Sequence, residues 1–144
     1  MADFELAYPK TIRHENGGVK NLYKCDEDDN GDWSGGKKNI GALVGTIDGI
    51  TAAEVMAALG KTHATITKDD VRYFPESKRK PIYKKKYWDG VLGDRIDDQQ
   101  IAEKIYDEEV NAGNASIKQA QQIAGLPVTG KMSEATLQYI NNPV

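Results

Sequence analysis

Cysteine is almost absent from this 144-residue chain, where Cys25 stands alone. A single thiol cannot close an intrachain disulfide, so the fold must rest on its core, as in proteins made in a reducing cytoplasm. Histidine is equally scarce, and one Cys with only His14 and His63 shows no metal-ligand spacing, so no metal and no cofactor are expected. Long hydrophobic runs are missing too. The richest stretch, residues 40–50, is broken by Gly41, Gly45, Asp48 and Gly49, well short of the ~18 apolar residues that span a bilayer, which argues against membrane insertion. The N-terminus, Met1-Ala2-Asp3-Phe4-Glu5-Leu6, lacks the positive charge and apolar run of a secretory signal. No Sec-type export is therefore expected, and the protein should accumulate in the cytoplasm of the cell that makes it. Nor is there an excess of charge of one sign. The 19 Lys and Arg against 22 Asp and Glu leave a net charge of -3, which argues against a general nucleic-acid binder.

The residues that are present point to a globular chain. Apolar residues make up 39% of it, outside the low-hydrophobicity, high-charge range of disordered proteins, and the length fits one compact domain. Charge is locally uneven. Residues 26–32 are acidic, residues 72–88 are rich in Lys, Arg and aromatics, and residues 94–109 are acidic again.

Helical signals recur along the chain. Phe4, Tyr8 and Ile12 repeat every four residues and would line one helical face, with Pro9 as a kink or late start. Residues 16–49 carry no sustained period and read as a long loop with a short hairpin. Thr51 and Glu54 form a capping-box pattern before Val55, Met56 and Leu59, with Gly60 as a stop. Thr67 precedes a second start, and Pro75 and Pro81 should divide the chain beyond it, with a helical piece over residues 81–88. Further helices are expected after Asp97 or Asp98 with Ile101, Ile105 and Val110 inward, after Ser116 with Ile117, Ala120 and Ile123 inward, and after Ser133 with Leu137 and Ile140. The fold class is mainly α.

The segment Arg13-His14-Glu15-Asn16-Gly17-Gly18 puts a carboxyl at the end of an apolar helical face, beside two glycines that would let another backbone approach closely. Desolvation there would raise the carboxyl's pKa, and a protonated Glu can donate to a leaving glycosidic oxygen. That chemistry needs a second carboxylate, and Asp26, Glu27, Asp28, Asp29, Asp32 and Asp48 are all available. The spacing of Asp26, Asp28, Asn30 and Gly31 matches the start of an EF-hand calcium loop, but Lys37 stands where its bidentate Glu belongs. Cys25 with His14 or His63 offers a thiolate and base, although the neighbouring carboxylates disfavour the thiolate.

Five pieces keep one family's order: Glu15-Asn16-Gly17-Gly18-Val19-Lys20-Asn21, Gly45-Thr46-Ile47-Asp48-Gly49-Ile50-Thr51, Ile66-Thr67-Lys68-Asp69-Asp70, Ile82 to Asp89 with Tyr87-Trp88, and Asp107-Glu108-Glu109-Val110-Asn111-Ala112-Gly113. The chain resembles glycoside hydrolase family 108, the small peptidoglycan lysozymes of phages and bacteria, over nearly its whole length. That family carries Glu-Gly-Gly-Tyr and then Asn-Asp-Pro, a Gly-Gly-x-Thr-x-x-Gly-Ile-Thr segment, a Tyr-Trp-Asp helix and an Asp-x-x-Val-Asn-x-Gly helix. Here Asn16 is inserted before the Gly pair, Val19 replaces the aromatic, and no Asn-Asp-Pro comes after Asn21. The stretch from Val128 to Leu137 is similar to the closing pattern of the family's peptidoglycan-binding region.

The resemblance implies a lysozyme-like helical domain with a long N-terminal loop or short hairpin region, its catalytic part over residues 1–92. Residues 93–144 would be a helical peptidoglycan-binding region packed into the same domain. It implies hydrolysis of the N-acetylmuramic acid to N-acetylglucosamine bond by a monomeric phage endolysin that reaches the wall after release. Glu15 would be the proton donor, and Gly17, Gly18, Thr46, Tyr87, Trp88 and Asn111 would bind glycan. The alternative is a non-catalytic wall-binding or secretion-assisting protein on the same fold.

Overall fold

A computed structural model describes residues 1–111 and 113–143. The chain is mainly helical. Among the described residues it forms α1 (Phe4–Asn16), β1 (Tyr23–Lys24), β2 (Thr46–Ile47), α2 (Ala52–Leu59), α3 (Lys68–Arg72), α4 (Glu76–Tyr83), α5 (Gln99–Asn111), α6 (Ala115–Ala124) and α7 (Glu134–Asn141). It divides into two compact units, residues 12–80 and residues 1–11 with 81–144, and the chain passes between them within α1 and α4.

The unit of residues 12–80 carries the loop region. Strands β1 and β2 pair antiparallel with Tyr23 opposite Ile47 and Lys24 opposite Thr46, so the expected hairpin exists, with residues 25–45 between its strands. Asp48 and Gly49, at φ 45° and 80°, make a two-residue turn, and the amides and carbonyls of Ile47 and Ile50 bond each other across it. Both central residues need positive φ in such a turn, which is why Asp-Gly suits it. The turn delivers the chain to Thr51, whose hydroxyl accepts from the Glu54 amide while the Glu54 carboxylate accepts from the Thr51 amide. This capping box and the left-handed Gly60 bound α2 as its sequence predicts. Thr67 and Asp70 start α3 with the same reciprocal bonds. Ile47, Ile50, Val55, Ile66, Val71 and Phe74 are among the apolar side chains buried here.

The unit of residues 1–11 with 81–144 is built around aromatic rings. Phe4, Trp88 and Tyr106 meet edge to face at centroid distances of 5.5–5.7 Å, and Tyr8 stands 5.5 Å from Phe4 and 5.8 Å from Tyr83. Such pairs add ~0.5–1.5 kcal/mol each beyond the area they bury. Pro81 does not divide the chain as expected: it sits inside α4, which continues into a π-helical turn over Lys84–Trp88. A wide turn of this kind reorients side chains within a helix. The inward faces of α5 and α6 also differ from expectation. Ala102, Ile105 and Tyr106 are buried on α5 and Ile117 on α6, whereas Ile101 and Ile123 are exposed. Isoleucines alone misjudge these faces because Ala102 and Gln121 occupy core positions too. Buried Gln121 ties α6 to the next loop and α7, accepting from the Thr129 and Gly130 amides and donating to Thr129 Oγ1, the Lys131 carbonyl and Thr136 Oγ1.

Candidate active site

Glu15 lies in the last turn of α1, half-buried. Asn16 then ends the helix: its buried side chain accepts from the Gly18 amide at 2.9 Å, while Gly17 and Gly18 take φ of 62° and 85°. The inserted Asn16 therefore has a structural role, capping the turn just after the glutamate. The glycines serve backbone conformation and not close approach. A Cβ on either would meet nothing within 4 Å.

Glu15 borders a cleft of about 250 Å³ lined also by Leu22, Lys24, Asp29, Gly31, Thr46, Gly49 and Thr51. Local chain geometry explains this convergence. The β1–β2 pairing brings Lys24 opposite Thr46, the Asp48-Gly49 turn and the α2 cap set Gly49 and Thr51, and a 3₁₀ turn over Asn30–Asp32 brings up Gly31. A Cβ on Gly31 would stand 3.5 Å from Thr51 Cγ2 and 3.7 Å from Thr46 Cγ2, a measure of how near the acidic turn lies to both threonines.

The carboxylates offered by the sequence are separated by environment. Asp29 lines the cleft with Glu15 and is exposed, while its carboxylate caps the 3₁₀ turn by accepting from the Gly31 amide at 2.9 Å. Asp32 is fully buried, and desolvation raises its pKa, opposed by the Asp26 amide at 2.6 Å and by the Thr46 hydroxyl. Its Oδ1 has no partner. Asp48 is buried, accepts from the Leu22 amide at 2.6 Å and lies 3.8 Å from the Arg79 guanidinium, which fixes the turn and leaves the carboxylate no approach to a ligand. Asp26 accepts from the Asp28 amide, and Asp28 pairs with Lys38. These carboxylates of the would-be calcium loop thus bond to the loop's own amides and a lysine. Among the described residues no three His, Cys, Asp or Glu side chains converge to hold a metal ion.

Residues 8–113 match the family described as Glycosyl hydrolase 108. The chain belongs to that family. No curated protein matches this family-108 chain. Among solved structures it is similar to SagA of Brucella abortus, at 23% identity over 98% of this chain and 70% of that one, with a TM-score of 0.62. SagA therefore shares the fold. No helix of the family-108 chain among the described residues is long and apolar enough to cross a membrane.

The other residues expected to bind glycan fare differently. Thr46 shares the cleft with Glu15, and Gly17 and Gly18 stand just beyond it in the chain. Trp88 belongs instead to the core of the other unit, fully buried, with its indole N–H donating to Asp94 at 2.8 Å; it offers no face to a sugar. Tyr87 is half-buried in the same unit, its ring 5.2 Å from the Lys86 ammonium and 5.7 Å from Tyr83. Asn111 is exposed at the end of α5 and donates to the Asp107 carbonyl, the bond of a residue closing its own helix. Cys25 interacts with Tyr23, whose phenol is pushed up to about 12 by burial and then by that thiol. His63 Nδ1 lies 2.6 Å from Ser34 Oγ. Sequence reasoning missed Lys24 and Thr51 as cleft residues. The capping box at Thr51 was visible, but only strand pairing turns that cap toward the glutamate.

Proposed function

We propose that this chain hydrolyses the bond between N-acetylmuramic acid and N-acetylglucosamine in bacterial peptidoglycan, with Glu15 as general acid and Asp29 as the second carboxylate. The observation that carries the reading is that Asp29 is the only other carboxylate bordering the Glu15 cleft among the described residues. Glu15 stands half-buried in the last turn of α1, at the edge of that cleft. It would protonate the leaving oxygen. Exposed Asp29 would either attack the anomeric carbon or take a proton from an attacking water. Thr46 and Thr51 supply hydroxyls that can orient sugar or water. Residues 93–144 would hold the wall, and the protein would act as a monomeric endolysin released from the cytoplasm.

Reducing-end release from purified sacculi tests this directly. Glu15→Gln keeps size and hydrogen bonding but removes the transferable proton, so activity should fall ~10²-fold or more, with Asp29→Asn also strongly reduced. Full activity in Glu15→Gln would move the acid elsewhere. A wild type that binds sacculi and releases no reducing ends would make the chain a wall-binding protein.

A further inference from the structure

A second and larger cavity, about 680 Å³, lies in the same unit as the Glu15 cleft and shares Leu22 with it. Nothing in the proposed chemistry uses it. Its lining includes Lys20, Tyr23, Arg72, Tyr73, Glu76 and Arg79, three cations against one carboxylate. The Arg72 guanidinium lies 5.4 Å from the Tyr23 ring centroid and 6.0 Å from that of Tyr73, so it is held between rings with its charge still open to solvent. Tyr73 is 71% exposed, so its ring is open to a ligand. Arg79 is 4% exposed; it donates to the Phe74 carbonyl and to Asn21 and lies near Asp48, yet its buried Nε–H has no partner. A buried donor without a partner is unfavourable, and a bound acceptor reaching it would remove that cost.

We propose that this cavity is a subsite for the carboxylate-bearing peptide branch of the wall polymer, adjoining the cleft that takes its glycan backbone. The inference rests on the reading of peptidoglycan as substrate. Muramic acid carries its peptide through a lactyl ether, so a strand lying in the Glu15 cleft projects that branch to one side of the sugar row. The branch combines carboxylates with methyl and methylene groups. Lys20 and Arg72 match the carboxylates, a planar guanidinium being well suited to them, and Tyr23, Tyr73, Phe74 and Pro75 offer apolar surface to the rest.

Two measurements on the full chain test the subsite separately from the hydrolase reading. In the first, the synthetic pentapeptide L-Ala-γ-D-Glu-L-Lys-D-Ala-D-Ala is titrated into the protein by NMR. Saturable shifts at Lys20, Arg72 and Tyr73, with affinity about tenfold weaker in Arg72→Ala, are expected. No saturable shift, or shifts confined to other residues, overturns the proposal. Arg72→Ala removes an exposed side chain, and Tyr73→Ala, equally exposed, is a second variant should the first misfold. In the second, reducing-end release is compared between intact strands and strands stripped of peptide by an amidase. The wild type should favour intact strands by about tenfold in kcat/KM, and Arg72→Ala should bring that ratio toward one through KM. Equal rates on both substrates without peptide shifts would remove the subsite and leave the hydrolase reading standing. Peptide shifts without cleavage of either substrate would remove the hydrolase reading and leave a wall-peptide site.

Discussion

At the scale of single residues, environment divides carboxylates that composition makes equal. Asp29 and Asp32 stand three positions apart in one acidic loop, yet one is exposed in the Glu15 cleft and the other is fully buried behind Thr46. Burial raises the Asp32 pKa above its ordinary value of 3.8, so the folded state holds the proton more tightly than the unfolded chain. Asp32 therefore favours folding most below that ordinary value, and the advantage is lost as pH rises through the folded pKa. Thermal unfolding of wild type and Asp32→Asn across that range should show the wild type losing stability relative to the variant as pH rises, and then a constant difference. A difference independent of pH throughout would mean that the buried carboxyl titrates as it does unfolded. The proposed catalysis would divide the same way: Glu15→Gln and Asp29→Asn should abolish or cripple turnover with little change in folding, because neither side chain belongs to the buried core.

At the scale of elements, short helices in the unit of residues 12–80 depend on their ends. α3 has only five residues, too few to be stable by helix propensity. It is set by the Thr67 hydroxyl accepting from the Asp70 amide, the Asp70 carboxylate accepting from the Thr67 amide, and Lys61 pairing with the same carboxylate at 2.7 Å. The Lys61 hydrogen bond, with smaller help from the Thr67 bonds, holds the Asp70 pKa below its ordinary value despite an opposing effect of burial. The linkage sign is opposite to that of Asp32. Stability from Asp70 is present above the ordinary Asp range and is lost as pH falls through the depressed folded value. Thr67→Ala should cost about 1 kcal/mol in denaturant unfolding at neutral pH, and Asp70→Asn should weaken the dependence on acid. Unchanged stability in Thr67→Ala would mean that packing of Val71 alone holds α3.

At the scale of the whole molecule, the glutamate and the aromatic cluster belong to different units. The C-terminal helices do not stand by themselves. Their unit includes residues 1–11, from which Phe4 packs on Trp88 and Tyr106, the Ala2 amide bonds the Ile96 carbonyl, and Thr11 donates to Asp107. Burying a Phe such as Phe4 contributes ~1.5–3 kcal/mol, a large share of the margin of a small domain. A fragment of residues 81–144 should thus lack cooperative thermal unfolding by circular dichroism, and adding the peptide of residues 1–16 should restore helicity and a transition. A cooperative transition in the fragment alone would show that the aromatic cluster is dispensable.

Much of the fold was legible in the order of residues. Local rules act over a few positions, so the caps at Thr51, Thr67, Asp98 and Ser133 and the stop at Gly60 all express residue type and spacing. The helical class came from the same signals, and the order of the motifs singled out Glu15 and the family. Features that depend on residues distant in sequence could not be read. The burial of Trp88, the choice of Asp29 over Asp48 beside Glu15, the membership of residues 1–11 in the C-terminal unit, and the unpartnered Arg79 Nε–H all arise from packing that no local pattern encodes. The sequence by itself determined most of the helices and their caps and put Glu15 at the end of an apolar helical face. Only tertiary structure decided which charges were desolvated and which side chains shared a cleft, because burial is a property of the packed chain and not of any one residue.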